Sequence, residues 1–558
     1  MGVNLRRLRG KIAAAALVKG AAFQLSRVPG GPRLVSRGAA ALGPTIAGGA
    51  AAAGSYRTLL AQLLRDVLPD TGSAMVYDSI AGLIPGTQKP QADIAALERE
   101  AREGGSAGAY VALAAAYRKP YVGRFEEALG AYERALALNP HDLRAVEGIL
   151  NTAARTTYDW PRIWKAVTVL RPSAGLFSSD TEWQRLGGLF AAEPPRESVQ
   201  RAVDLLQEHR EQLPGLHQLL LEVLSVRLQF LGRFRAGAEL RAAMAENRIR
   251  ELSGIPLESP LWLRHLLGAY AHLGRTDDAA RKAARPLLTS ADPRTRQQLE
   301  KLRADVALLS GDAAPLQEQI VARAQTLPLP GEARMRELVR GQRVAVVGPA
   351  DTGDQLGDLI DRYDVVVRTR YQPEFVAEHA ARLGTRTDIA YYSGRDLHSM
   401  LDDVSDAARA GKLHLAVARP FSGPLLNEGL SEDERGWLRF ARTEFGLYFR
   451  GASLAAQRII YDLLQFAPAE IALFNMDFFS GANAYAANYG NRGSAFGPYE
   501  PLNDVVAVHD LLTEFRLTKT FATTGLLTAH GAAAEVLSLS DDEYLTRLET
   551  RSPLRASD

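Results

Sequence analysis

Short apolar runs alternating with helical stretches fill the C-terminal part of the chain, and this alternation limits its fold more than any other feature. VAVVG, from Val344, is followed by a helical stretch around Leu356 to Ile360. YDVVVRT (from Tyr363), RTDIAYYSG (from Arg386) and HLAVARP (from His414) come next. GASLAAQRIIYDLLQ, from Gly451, has helical spacing, and AEIALFNMDFF, from Ala469, reads as a strand. Strands joined through helices must run parallel, and a parallel sheet is covered on both faces. The expected fold of this part is a Rossmann-like α/β domain that takes ligands at the carboxyl ends of its strands.

The preceding part reads differently. From about residue 95 to 327, apolar residues recur three and four positions apart, with no strand alternation. GAYVALAAAYRKPYVGRFEEALGAYERALALNP places Tyr110 and Tyr117 on one helix, Gly123-Arg124-Phe125 at a turn, and Ala128, Tyr132 and Ala135 on a second helix ending at Asn139-Pro140. This resembles a tetratricopeptide repeat. Similar turns recur in FLGRFRAGAELR (from Phe230), HLGRTDDAARKA (from His272) and LSGDAAPLQEQI (from Leu309). Stacked copies imply an all-α solenoid. Its surface either recruits a protein partner or packs on the next domain as a scaffold. PLPGEARM, from Pro328, breaks the pattern. The chain is therefore expected to be multidomain. It divides into a basic and Ala/Gly-rich segment at 1–55, helical repeats at 56–327, a linker at 328–340, the α/β domain at 341–548 and a tail at 549–558.

Composition mainly excludes. The absence of cysteine rules out disulfides, thiolate metal sites and a cysteine nucleophile. A net charge of +2 gives no argument for nucleic acid. No run has the ~18 apolar residues of a membrane span. The segment LRRLRGKIAAAALVKGAAFQL carries Arg6, Arg7, Arg9, Lys11 and Lys19, and no acidic residue precedes Asp66. It reads either as a helix lying on an anionic membrane or as a basic tail, and its apolar core is short for a secretory signal. The expected location is cytoplasmic, at the inner membrane face if the first of these readings holds. His379, His398, His414 and His530 show no metal-like grouping, so no metal is expected.

The turn after VAVVG decides between nucleotide sites. A dinucleotide fold needs three glycines at fixed spacing, but Gly348, Gly353 and Gly357 are spaced otherwise. A Gly-Lys-Ser/Thr loop is missing as well. Instead, the segment contains Ile360, Asp361, Asp364, Val365, Val366 and Arg368, then Leu383 to Asp388. This resembles the large sialylmotif of glycosyltransferase family 29, the sialyltransferases and their bacterial and plant relatives. Phe449 to Phe479 resembles the small sialylmotif. His509 and Glu514, in VHDLLTEF, resemble the H-x4-E of the very short motif. The resemblance covers about the last 200 residues. It departs where Pro349-Ala350-Asp351 stand in place of a donor-binding asparagine, where the asparagine after the second strand falls near Thr369 or Arg370, and where Asn475 replaces a late glycine.

The resemblance implies a metal-independent, inverting transfer of sialic acid, Kdo or a related acidic sugar from a CMP donor to a glycan or glycolipid, with no cofactor. It makes His509 the general base, a role suited to imidazole near neutral pH. Glu514 either helps to position the site or is an ordinary helix-face carboxylate. Asp510 reads as a helix cap. The implied donor-binding residues are Gly348, Ala350, Asp351, Arg368, Arg370, Asp388, Gly451, Ala452, Ser453, Asn475 and Asp477. Arg368 and Arg370 would share a side of their strand by alternation. Gly451 to Ser453 would open a helix, and Asp388 and Asp477 would end strands. A long Gly/Tyr/Asn-rich loop bearing Asn483, Tyr485, Tyr489 and Tyr499 would close over the acceptor. The competing expectation is a repeat-based adaptor whose nucleotide-sugar domain is inactive.

Overall fold

The recurrent glycine turns of the first half close helix pairs. The computed structural model describes residues 94–118, 122–253, 260–284, 293–326, 330–392, 397, 400–419, 436–482, 501–552 and 554. The segment 1–55, His398 and the expected lid residues Asn483, Tyr485, Tyr489 and Tyr499 lie outside them. Ala107–Tyr117 pairs with Phe125–Leu138, and Gln218–Phe230 with Phe234–Ser253. Pro260–His272 pairs with Thr276–Ala283, and Pro293–Leu308 with Ala314–Thr326. The turn glycines Gly123, Gly232, Gly274 and Gly311 have φ of 67°, 69°, 69° and 83°. Glycine adopts this conformation without the strain a Cβ would bring. At each turn the next N–H reaches back to the first helix: Arg124 to Tyr117 O, Arg233 to Leu228 O, Arg275 to Tyr270 O and Asp312 to Ala307 O. Between the first and second pairs run Leu143–Thr156, Trp160–Val167, 3-10 turns and Arg196–Glu208, so the pairs are unevenly spaced.

The second half is built on one parallel sheet. Its strands are β1 (Arg343–Val347), β2 (Val365–Thr369), β3 (Ile389–Tyr391), β4 (Leu415–Ala418), β5 (Leu438–Phe440), β6 (Glu470–Phe474) and β7 (Thr528–Ala529). The spatial order is β5-β4-β3-β2-β1-β6-β7, with every pair parallel. The chain builds outward from β1 to β5, then crosses back to lay β6 on the other side of β1. The strand order thus reverses between β1 and β6, where such sheets open a crevice at their carboxyl ends. Alternating residues of the strands serve two cores. Val344, Val346, Val365, Val367, Ile471 and Leu473 join the large core, while Ala345, Val347, Val366, Ala472 and Phe474 pack with Ile360 and Leu383.

The cores divide the molecule differently from the sequence pattern. One apolar cluster runs from Ala114 to Met244. The large one runs from Phe234 to Leu554 and includes both the later helices and one face of the sheet. The division therefore falls inside the helix Phe234–Ser253. Residues 328–340 are not a plain linker. They contain the helix Pro330–Val339, whose Met335 and Val339 are fully buried. Its Glu332 carboxylate meets Arg323, Arg439 and Arg442 at 3.2–3.8 Å. Arg439, itself fully buried, forms a bidentate pair with Asp462 at 2.6 and 3.0 Å, and the Tyr391 hydroxyl donates to the same carboxylate. The tail at 549–558 is also partly core, since Ser552 and Leu554 are buried beyond the helix Asp541–Thr550. Among the described residues no helix is long and apolar enough to cross a membrane.

Candidate functional site

The crevice between β1 and β6 is closed by backbone before any side chain is considered. Gly348 donates its N–H to Phe474 O at 2.8 Å, and Ala350 donates to Asn475 O at 3.2 Å. A Cβ at Gly348 would stand 2.5 Å from Asn475 O, so only glycine allows this approach. Just past β6, Asn475, Phe478 and Phe479 have φ of 50°, 51° and 62°. Asparagine tolerates this region, but two phenylalanines there mark strain that the surroundings must hold. Tyr544 does so in part, donating its hydroxyl to Phe478 O at 2.8 Å while its ring stacks on Phe515.

Every polar side chain of the PADTG-Asp turn is engaged within the protein. Asp351 pairs with Arg382. Thr352 donates to Asn475 Oδ1 at 3.1 Å. Asp354 accepts from Ala532 N at 2.9 Å. Asn475 donates in turn to Arg382 O at 3.1 Å.

Asp477 lies in the same crevice, 8% exposed, with its carboxylate accepting from Phe479 N at 3.0 Å. Burial pushes its carboxyl up to about 6 against these backbone hydrogen bonds. The native state therefore holds this proton up to about pH 6, whereas the unfolded chain releases it near 3.8. Stability must fall as pH rises between those values, and the loss is complete above them. Asp477→Asn is expected to raise the stability at pH 7 by on the order of 2–3 kcal/mol, with no gain below pH 4, in denaturant melts run across pH.

Three expected donor residues need correction. Asp388 does not end a strand: it precedes β3, at the amino edge of the sheet, and accepts from Val366 N at 2.7 Å. Arg368 is buried, and its guanidinium donates to the carbonyls of Leu383 and Arg386 and to Thr387 Oγ1. It braces the segment before β3 and has little reach left for a donor. Arg370 does not share its side by alternation, because β2 ends at Thr369 and Arg370 turns to φ 73°.

A second group assembles beside the crevice. Helices in such a sheet run back against the strands, so those leading into β6 and β7 begin at the carboxyl edge. These are Ala455–Leu464 and Leu511–Thr523. Gly451, Ala452 and Ser453 do not open the first of them, which starts at Ala455 with Leu454 as its cap residue. They form a turn that docks on Val508 and His509. Ala452 N–H donates to Val508 O at 3.2 Å. Gly451 has φ 77°, and a Cβ there would stand 2.3 Å from Val508 O.

His509 Nδ1 lies 2.5 Å from Ala452 O. A carbonyl oxygen only accepts, so Nδ1 carries the proton. The neutral ring then holds its lone pair on Nε2, the tautomer a general base requires.

Glu514 is not an exposed helix-face carboxylate. It is 1% exposed and clamps both ends of the turn segment, accepting from Tyr448 Oη and Leu454 N, each at 2.8 Å. Burial pushes its carboxyl up to about 8, against the pull of those two hydrogen bonds. These two bonds fix the position of the turn.

The helical layer completes this group. Asp510 caps Leu511–Thr523, accepting from Thr513 N at 3.1 Å, as its place in the sequence suggests. It is buried, and although burial alone would raise its carboxyl, Arg241 and His272 hold it below the ordinary value. Arg241 Nη1 is 3.2 Å from Asp510 Oδ2. His272 Nδ1 is 2.9 Å from Thr513 Oγ1, and burial pulls that imidazole down to about 4. Arg450, next to Gly451, pairs with Glu222. The sequence did carry a signal for Arg241: it stands among Gly237, Leu240 and Met244, apolar positions that the helix buries with it.

Among the described residues no group of three or more His, Cys, Asp or Glu side chains is placed to hold a metal ion. No protein-family model matches the chain, and no curated protein matches it.

Proposed function

We propose that the chain is a glycosyltransferase, similar to family 29, that moves sialic acid, Kdo or a related acidic sugar from CMP to a glycan or glycolipid. The observation that carries this reading is the His509–Ala452 contact. It joins the small and very short motif segments, 57 residues apart, and sets the ring tautomer. In the proposed step the acceptor oxygen attacks the anomeric carbon and passes its proton to Nε2 of His509. The bond from that carbon to the CMP phosphate breaks, and the electron pair leaves with the phosphate. The amino end of Ala455–Leu464, at the same edge, favours the departing charge. The helix pairs are proposed to be a tetratricopeptide-type array that supports this site. A second reading, an inactive nucleotide-sugar domain on an adaptor, is favoured by the engagement of Asp351, Thr352 and Asp354 within the protein.

The test is a titration of the full chain with CMP, UMP, GMP and NAD, followed by calorimetry and melting. CMP at a hundred times its dissociation constant is expected to stabilise the fold by about 2.7 kcal/mol. Binding of another nucleotide with no response to CMP would overturn the donor assignment. CMP binding without turnover of any CMP-sugar would favour the adaptor.

A further inference from the structure

We infer that Arg241, on the helical layer, is a positioning residue for His509; the inference rests on the transferase reading of that site. Arg241 is 2% exposed and sits opposite the start of Leu511–Thr523. Its Nη1 touches two adjacent positions, the Asp510 carboxylate at 3.2 Å and the His509 carbonyl oxygen at 3.4 Å. Asp510 is also 2% exposed, and the His272 ring is its other close polar neighbour, at 3.7 Å. The main chain at 508–510 is thus gripped from two sides. The Gly451–Ala452 turn holds Val508 O and the His509 ring, while Arg241 holds His509 O and Asp510.

A cation and a carboxylate removed from water hold each other in one geometry, because separating them leaves a buried charge uncompensated. Without Arg241, Asp510 must turn outward or take up a proton. Turning outward moves the residue bonded directly to His509, and in either case His509 O loses the guanidinium that holds it. The neighbouring contact follows the same plan, since Glu222 of the helical layer pairs with Arg450 beside Gly451. Both halves of the His509–Ala452 contact are therefore tied to the helical layer. Helix Pro501–Val508, which leads into His509, packs on Gln218–Phe230 and Leu143–Thr156.

The experiment uses the full chain with Arg241→Ala, Arg241→Lys and the charge-neutral pair Arg241→Met/Asp510→Asn. Two readouts are taken: steady-state kinetics with CMP-sugars, and the ring nitrogen signals of His509 in labelled protein. The signals are assigned by their loss in His509→Ala. Misplacement of a reacting group by about 1 Å costs about 10²-fold in rate, so kcat should fall by about that factor in Arg241→Ala. The donor KM should stay within about threefold, since the binding contacts are left in place. Arg241→Lys should restore part of kcat, and the His509 signals should lose the single Nδ1–H tautomer in the alanine variant.

If Arg241→Ala does not fold, the neutral pair decides. Its folded state is retained where a buried ion pair gives way to neutral groups of similar volume. Wild-type kcat and an unchanged tautomer in a folded variant would overturn the inference. Absence of turnover in the wild-type chain would instead overturn the transferase reading, and the ring signals would still decide the role of Arg241.

Discussion

Residues 341–558 expressed alone are expected to show no cooperative thermal transition. The large core shares its apolar contacts between the sheet and the helices from Phe234 onward, so cutting at 340 exposes that face to water. The cut also strips buried polar groups of their partners. Asp510 loses Arg241, and Arg450 loses Glu222. Tyr461 Oη and Gly446 N both lose Asp305, which they bond at 2.8 Å. Arg439 and Arg442 lose Glu332, leaving Asp462 alone to balance Arg439. Leaving one partner of a buried pair uncompensated costs about 3–5 kcal/mol. Two or three such losses match the ~5–15 kcal/mol by which a whole domain is usually stable. The check is far- and near-ultraviolet circular dichroism on heating, beside the full chain. A sharp transition and retained CMP binding in the fragment would show that the helical layer is dispensable.

His509→Ala is expected to lower kcat with CMP-sugars by about 10²–10⁴-fold, the usual contribution of a positioned general base. The donor should still bind. The alanine removes the ring and its bond to Ala452 O but leaves the main-chain link from Ala452 N to Val508 O. Calorimetry with CMP should therefore give an unchanged affinity while turnover collapses. His509→Asn offers an amide donor near the position of Nδ1 but no base, so it should restore the docking of the turn without restoring turnover. Full activity in either variant would remove His509 from the chemistry.

The sequence shows the sheet where the strand is its own evidence. The apolar runs at Val344, Val365, Leu415 and Ile471 are strands because burial on both faces demands such runs. β5 and β7 are not visible in this way. LRF and TA are too short to carry a pattern, and they become strands by pairing with β4 and β6. The helix Pro330–Val339 is hidden for another reason. Its proline and glycine read as a break, but proline suits the first turn of a helix, and two of the three arginines that meet Glu332 lie more than 100 residues onward.

For the site, the chemical types at His509, Asp510 and the Gly451 turn are legible, and their mutual contact is not. That contact depends on a positive φ at Gly451 and on the segments before two helices, Ala455–Leu464 and Leu511–Thr523, meeting beside the sheet. Asp388 misleads because a residue beside a strand gives no sign of which end it occupies. Glu514 misleads because helical spacing does not reveal that Tyr448 and Leu454 wait on the buried side.

The PADTG turn bears on how relatives of this chain should be compared. Asp351, Thr352 and Asp354 tie the turn to Arg382, to Asn475 beyond β6 and to Ala532 at the head of the last-but-one helix. Such a brace restricts substitution at all three positions whether or not anything binds there. Invariance of these residues in a set of relatives would record the joining of three segments of chain, and would carry no weight as a sign of shared substrate. On the proposed transferase reading, divergence of donor or acceptor among relatives would be written instead around Gly451, His509 and the helical residues that hold them.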